Sequence, residues 1–255
     1  MVAVSQTSLD FGYPWWLNYG HLVLFGVLLA AVLAARAAGA SRWVMILLGA
    51  LSLWAGSVAL LVHFFGINQV PPLPTAAFLR SGTGRVLDLG AGTGRSSIMV
   101  LTERPQATLV ASDLFGTSFT QHFGPGQRPQ DRLLANLKAA GVDGRATIET
   151  ADMLKLPFAD RAFDAIVSAY AMDHLGRNGA RTALAEAHRV LKPGGDFLLI
   201  LVANDRWAKL AFGPLLSHGG TYGPEWWRDA AAKAGFDIRE EGARPVTTYF
   251  LLTGR

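Results

Sequence analysis

The chain has 255 residues, no cysteine and a formal charge of +4, with 51% hydrophobic and only 16% charged residues. The lack of cysteine excludes a disulfide framework, a thiolate metal site and a cysteine nucleophile. The apolar excess excludes bulk disorder, and positive charge scattered without a dense basic run argues against nucleic acid while leaving an anionic membrane surface open.

The shortage of charge is local. Residues 1–66 carry only Asp10, Arg36 and Arg42, whereas the remainder has the charge density of a soluble domain. An apolar helix of about 20 residues, at about 1.5 Å each, crosses a bilayer. Tyr19–Ala35 meets that length, extending upstream through Trp15, and Trp43–Phe65 exceeds it. The short polar turn Arg36–Arg42 predicts an antiparallel hairpin, and Phe11-Gly-Tyr-Pro-Trp-Trp16 predicts an aromatic interfacial belt. A signal peptide would begin with positive charge, and the first 20 residues have none. A soluble core hairpin would show a polar stripe, and here only His21 and His63 interrupt the spans, each near an end. A transporter or channel subunit would need more intramembrane polar groups than these two. Gly26, Gly49 and Gly56 allow close helix contact, so homo-oligomerisation through the hairpin is an expectation, although no G-x-x-x-G pair occurs there.

Pro71-Pro-Leu-Pro74 cannot continue a helix and predicts a stiff, extended exit. Strands and helices then alternate. Strands are predicted at Arg85–Leu89, Ala107–Ser112, Ala146–Glu149, Ala162–Ser168 and Asp196–Val202, with a final pair at Phe236–Glu241 and Val246–Leu252. Helices are predicted at Thr93–Thr102, Pro129–Ala140, Gly179–Leu191 and Glu225–Ala234, with a turn at Pro193-Gly-Gly195. The expected fold class is α/β: a Rossmann-like, doubly wound, mostly parallel seven-stranded sheet preceded by two membrane helices. The expected organisation is an interfacial segment over 1–18, a hairpin over 19–66, a proline-containing linker over 67–79 and the α/β domain over 80–255.

Val86-Leu-Asp-Leu-Gly-Ala-Gly-Thr-Gly94 joins the first strand to the first helix of that domain. Its glycines let backbone pass close to a ligand. Dinucleotide loops have the spacing G-x-G-x-x-G and place pyrophosphate at the helix N-terminus. Here the glycines fall at 90, 92 and 94, and an acid precedes them where it would repel pyrophosphate. Asp113 ends the second strand, where a carboxylate can grip two ribose hydroxyls, and Asp152 opens the loop before the fourth strand.

Together with Asp152-Met-Leu-Lys-Leu-Pro-Phe158, Phe163-Asp-Ala-Ile-Val-Ser168 and Leu191-Lys-Pro-Gly-Gly195, this constellation resembles the class I S-adenosylmethionine-dependent methyltransferases, from about Arg80 to Arg255. The resemblance implies S-adenosyl-L-methionine as cofactor. It implies that Asp88 approaches the methionine amino end, that Gly90, Ala91, Gly92 and Gly94 lie against the cofactor, and that Asp113, with Leu114 beside it, binds the ribose. Asp152 and Met153 would border the adenine, and Ala169 and Tyr170 would lie near the sulfonium.

Methyl transfer from a sulfonium is an in-line displacement, so the protein has chiefly to align the groups and exclude water. A base is needed only where the acceptor starts protonated. Ala169-Tyr-Ala-Met-Asp-His-Leu175 follows the fourth strand, and His174 is the expected base, with Tyr170 and Asp173 as further pocket residues. No clustered metal-ligand spacing occurs in the sequence, so no metal is expected. Two stretches exceed a minimal core: Phe115–Gly124 with His122, and Asn204–Tyr222 with Arg206, Trp207, Lys209, Leu210, Phe212, Leu215, Leu216 and His218. The second is expected to be a lid that also touches the bilayer.

The expected function is a membrane-anchored methyltransferase acting on a hydrophobic small-molecule or lipid-like acceptor, with the lipid bilayer as partner and no nucleic acid. Two readings compete with it: a small soluble or volatile acceptor with the hairpin as tether, and a non-catalytic cofactor-binding scaffold or sensor. Cytosolic cofactor places the catalytic domain on the cytoplasmic side and the Arg36–Arg42 turn outside, which opposes the positive-inside tendency. A hairpin confined to one leaflet would remove that conflict.

Overall fold

The computed structural model describes residues 9–66, 69–116, 128–204, 206, 209, 222–244 and 246–255. It divides into two compact units, one comprising residues 12–68 and the other residues 1–11 with 69–255.

The smaller unit is a pair of helices, α1 (Trp15–Ala37) and α2 (Arg42–Phe65). At 23 and 24 residues they are each about 35 Å long, enough to cross a hydrocarbon core of about 30 Å. Ala38 and Ala40 close the end of α1 through N–H bonds to Ala34 and Ala35, and Gly39 takes the left-handed conformation that reverses the chain. The helices meet where Gly56 faces Phe25, whose ring would lie 3.1 Å from an added Cβ, and where His21 meets Trp54 edge-on at 5.6 Å. No residue of α1 is buried, and Leu22, Val27, Leu33, Trp43, Leu47 and Leu53 all stand exposed. Both helices are long and apolar enough to span a membrane.

The larger unit is a seven-stranded sheet flanked by helices. Its strands are β1 (Thr83–Leu89), β2 (Gln106–Asp113), β3 (Ala146–Thr150), β4 (Phe163–Ala169), β5 (Leu191–Val202), β6 (Phe236–Arg244) and β7 (Thr247–Gly254). The order is β3-β2-β1-β4-β5-β7-β6, with β7 antiparallel to both neighbours and the rest parallel. The helices are α3 (Arg95–Glu103), α4 (Pro129–Ala139), α5 (Gly176–Val190) and α6 (Pro224–Lys233). The central strands read as unbroken apolar runs because both sheet faces are covered. On one face, Phe163, Ile166, Phe197, Leu199 and Phe250 pack against Ala180, Ala183, Leu184 and Ala187 of α5 and Trp227 of α6.

The seven strands and the Rossmann-like winding agree with the sequence expectation. Three local readings differ. First, Phe11 is fully buried and residues 9–11 belong to the α/β unit, so Phe11 is not part of an aromatic belt. Second, the chain after Gln69 is docked rather than a bare linker. Thr75 donates to Glu240 at 2.6 Å, Phe78 is buried, and Arg104 donates to the carbonyls of Ala76 and Phe78. Third, Pro193-Gly-Gly195 lies inside the span of β5. There the pairing with β4 jumps from Phe163↔Leu191 to Ala165↔Asp196, so the turn residues form a bulge rather than a break.

Candidate active site

The C-terminal ends of β1, β2 and β4 converge on the glycine loop, at the point where strand order reverses between β1 and β4. Gly90, Gly92 and Gly94 all have positive φ, at 76°, 53° and 93°. A Cβ on Gly90 would overlap the Ala171 methyl and come within 3.1 Å of Met153 Cε. Gly90 is therefore packed closely against Ala171 and Met153, a contact that only a glycine allows. A Cβ on Gly94 would lie 2.6 Å from Leu133, so this glycine serves the approach of α4 instead.

The loop spends its own N–H groups internally. Gly90 and Ala91 both donate to the Ser112 carbonyl, at 2.8 and 3.0 Å, and Gly94 donates to Ala91. Gly92 donates to Asp113 Oδ2 at 3.0 Å. An anion-binding loop keeps such groups free for phosphate, so this one is not built for pyrophosphate.

Asp113 is half-buried, and its other oxygen, Oδ1, accepts from Phe115 N–H at 2.8 Å. Both oxygens are thus oriented by backbone, and each keeps a lone pair for a further donor. Phe115 takes a positive φ of 49°, and Tyr170, just past β4, one of 55°. Left-handed backbone at non-glycine residues past the ends of β2 and β4, the two strands that flank β1, marks the site as locally strained. Leu114, between Asp113 and Phe115, is exposed.

Asp88 is fully enclosed. Its Oδ2 accepts from Ser96 at 2.7 Å and Ser97 at 2.6 Å, whereas Oδ1 has no hydrogen-bond partner among the described residues. Burial, aided by the Asp113 charge and opposed by the two serine hydroxyls, pushes its pKa up to about 6. The carboxyl is enclosed and offers no open contact. The folded protein holds this proton more tightly than the unfolded chain, whose ordinary value is 3.8. Stability from that proton is full below 3.8 and is lost as pH rises through about 6, a change of about 3 kcal/mol. Asp88→Asn can keep both serine bonds on its amide oxygen. Denaturant unfolding from pH 4 to 7 is expected to show the wild type losing about that amount relative to the variant. Parallel profiles for the two proteins would refute the effect.

Asp152 is exposed and caps its own turn, accepting from Leu154 N–H at 2.9 Å. Arg189 holds the loop behind it, donating to the carbonyls of Leu156 and Phe158, while Glu186 accepts from Leu156 N–H. Met153 is thereby presented to Gly90. Ala169 is half-buried at the end of β4. Tyr170 N–H bonds Ile200, its hydroxyl lies 2.9 Å from Thr247 Oγ1, and the Arg95 guanidinium lies over its ring at 5.9 Å. His174 is exposed on a short 3-10 turn. Asp173 is buried, accepts from Val202 N–H, and is raised by burial against the pull of His174. His122 and His218, with residues 117–124 and most of 204–222, lie outside the described residues.

The structure therefore brings Gly90, Gly92, Asp113 and Met153 together. Sequence reasoning missed Ser96, Ser97 and Asn136, and it covered Thr93 and Ala171 only as members of the glycine loop and of the stretch Ala169–Leu175. Asn136 carried a usable signal, because it shares the buried stripe of Leu133 and Leu137 and is the polar member of it.

Residues 87–199 match the family model of the methyltransferase domain. A stretch of 118 residues is 36% identical to the demethylmenaquinone methyltransferase of Deinococcus radiodurans, covering 46% of this chain and 42% of that protein. A stretch of 127 residues is 32% identical to the 27-O-demethylrifamycin SV methyltransferase of Amycolatopsis mediterranei, covering 48% and 41%. The chain thus spans less than half the length of these relatives. Among solved structures, an O-methyltransferase family protein from Burkholderia thailandensis superposes with a TM-score of 0.57 at 17% identity, covering 94% of this chain and 69% of that one. An O-methyltransferase family 2 protein from Planctomyces limnophilus, complexed with apigenin, superposes at 0.56 with 20% identity, covering 80% and 59%. These superpositions establish the shared fold.

Proposed function

From a chain whose α/β unit is a class I S-adenosylmethionine-dependent methyltransferase domain, we propose a membrane-anchored enzyme that methylates a hydrophobic, quinone- or lipid-like acceptor. The observation that carries the catalytic part is the left-handed glycine loop at Gly90 and Gly92 beside the backbone-oriented carboxylate of Asp113. A close-packed glycine loop next to an acceptor pair, with the N–H groups of Gly90, Ala91, Gly92 and Gly94 already bonded, fits a ribose-bearing ligand better than a pyrophosphate.

When bound, S-adenosylmethionine supplies a methyl group already activated on its sulfonium. Asp113 would receive the two ribose hydroxyls on its remaining lone pairs. Asp152 and Met153 would border the adenine, and Gly90 and Gly92 would let the backbone lie close to the ligand. Asp88 supplies negative field beneath the loop, which suits the cationic amino end. Ala169 and Tyr170 flank the reacting centre, and the Tyr170 hydroxyl, bonded to Thr247, keeps the ring in one orientation. His174, exposed just past β4, accepts a proton from an acceptor that starts protonated.

Two features support a hydrophobic acceptor. The paired apolar helices suit a bilayer, with the catalytic domain in the cytoplasm where the methyl donor is made. Several of the similar proteins are quinone-biosynthesis methyltransferases by name. The test uses purified full-length protein in detergent, with methyl-labelled S-adenosylmethionine and either demethylmenaquinone or a bacterial lipid extract. Label is expected in the organic phase. Label found only in water-soluble products would replace the acceptor class, and bound cofactor with no transfer at all would make the protein a sensor or scaffold.

A further inference from the structure

The glycine loop is held from outside by the two chain segments that flank the hairpin. On the N-terminal side, Thr93 Oγ1 donates to the Phe11 carbonyl at 3.2 Å. Asn136 of α4 reads the backbone of Asp10 in both directions: its Oδ1 accepts from Asp10 N–H at 2.9 Å, and its Nδ2 donates to the Asp10 carbonyl at 2.8 Å. The same Nδ2 donates to the Thr93 carbonyl at 2.9 Å. Phe11 is fully buried, and Asn136 and Thr93 are 2% and 3% exposed. On the C-terminal side, Arg95 Nε donates to the Gln69 carbonyl at 2.8 Å. Phe11 and Gln69 are the residues at which the chain leaves and re-enters the α/β unit.

Thr93 sits between two left-handed glycines, so its backbone has no strand or helix ladder to fix it. Loops of that kind occupy several conformations unless side chains select one. Asn136 satisfies the Thr93 carbonyl, and its remaining hydrogen-bonding capacity is used by Asp10. Without Asp10 and Phe11, the buried amide and hydroxyl would lose partners, at a cost comparable to a lost buried hydrogen bond each.

We propose that Asn136 and Thr93 are positioning residues for the cofactor loop, and that residues 10–11 are an integral part of it. The segment before the first apolar helix then acts as a wedge that sets the loop for binding. This rests on the reading of the loop as a cofactor site. Coupling of this kind is reciprocal. Docking of Asp10 and Phe11 favours cofactor binding, and bound cofactor holds Asp10 and Phe11 in place.

The test is made on the full-length protein in detergent, by calorimetric titration with S-adenosylmethionine and by amide hydrogen exchange. Asn136→Ala is expected to raise Kd about tenfold and Thr93→Val about threefold, whereas Thr93→Ser stays near wild type because it keeps the hydroxyl. In the wild type, added cofactor is expected to slow exchange at the Asp10 amide while leaving strand β6 unaffected. Should Asn136→Ala fail to fold, Thr93→Val and the Asp10 exchange still decide. Unchanged Kd in Thr93→Val, or cofactor-insensitive exchange at Asp10, overturns the proposal while the cofactor reading stands. A wild type that binds no cofactor removes both.

Discussion

Gly90→Val is expected to destabilise the fold and to abolish measurable binding of S-adenosylmethionine. Position 90 has φ of 76°, which costs an L-residue about 1–2 kcal/mol and a β-branched one more. Its added Cβ would overlap the Ala171 methyl and press on Met153. Overpacking of that kind costs roughly 1–3 kcal/mol. Relief of that overlap would also displace Ala171 and Met153 from the loop against which the ligand is proposed to lie. Thermal unfolding and calorimetry on the same preparation separate the two effects. Pairing Gly90→Ala with Ala171→Gly removes the overlap but not the backbone strain, so the double variant should regain part of the stability. Wild-type affinity in Gly90→Val would exclude this loop as the cofactor cradle.

Asp113→Ala carries the second large effect. The substitution removes the acceptor for two backbone donors, Gly92 N–H and Phe115 N–H, and the two proposed ribose contacts. Hydrogen bonds to a charged group contribute about 1.5–3 kcal/mol each, so Kd should rise by more than about 100-fold. Asp113→Asn keeps one oxygen but turns an amide N–H₂ toward a donor, and should fall between the two. A second signature is independent of binding. The Asp113 charge helps to raise Asp88, so its removal should shift the pH dependence of stability toward lower pH. An unshifted pH profile in Asp113→Ala, with the variant still folded, would show that the two carboxylates do not sense each other.

The glycine loop was legible in the sequence because its requirement is a backbone one. Left-handed φ at three alternate positions leaves a residue signature that no neighbouring element can supply. The central strands were legible for the complementary reason, since burial on both faces forces unbroken apolar runs. The segment around Phe11 was misread because an aromatic residue in an aromatic run has no mark of its own. Its neighbour Asp10 is held by a helix more than a hundred residues away. Pro193-Gly-Gly195 has turn chemistry, and only the pairing with β4 reveals a bulge in a continuing strand. The left-handed backbone at Tyr170 and Phe115 was invisible for the same reason, being imposed by the strands around it.

The bond between Asp10 and Asn136 spans 126 positions of chain. Synthesis runs from the N-terminus at about 5–20 residues per second. Asp10 and both apolar helices therefore emerge several seconds before α4 exists. Completion of the loop consequently waits on residues made well after its outer segment, Asn136 first and then Met153 and Ala171. The hairpin has that whole interval to reach its own environment, with the cofactor loop completed only afterwards.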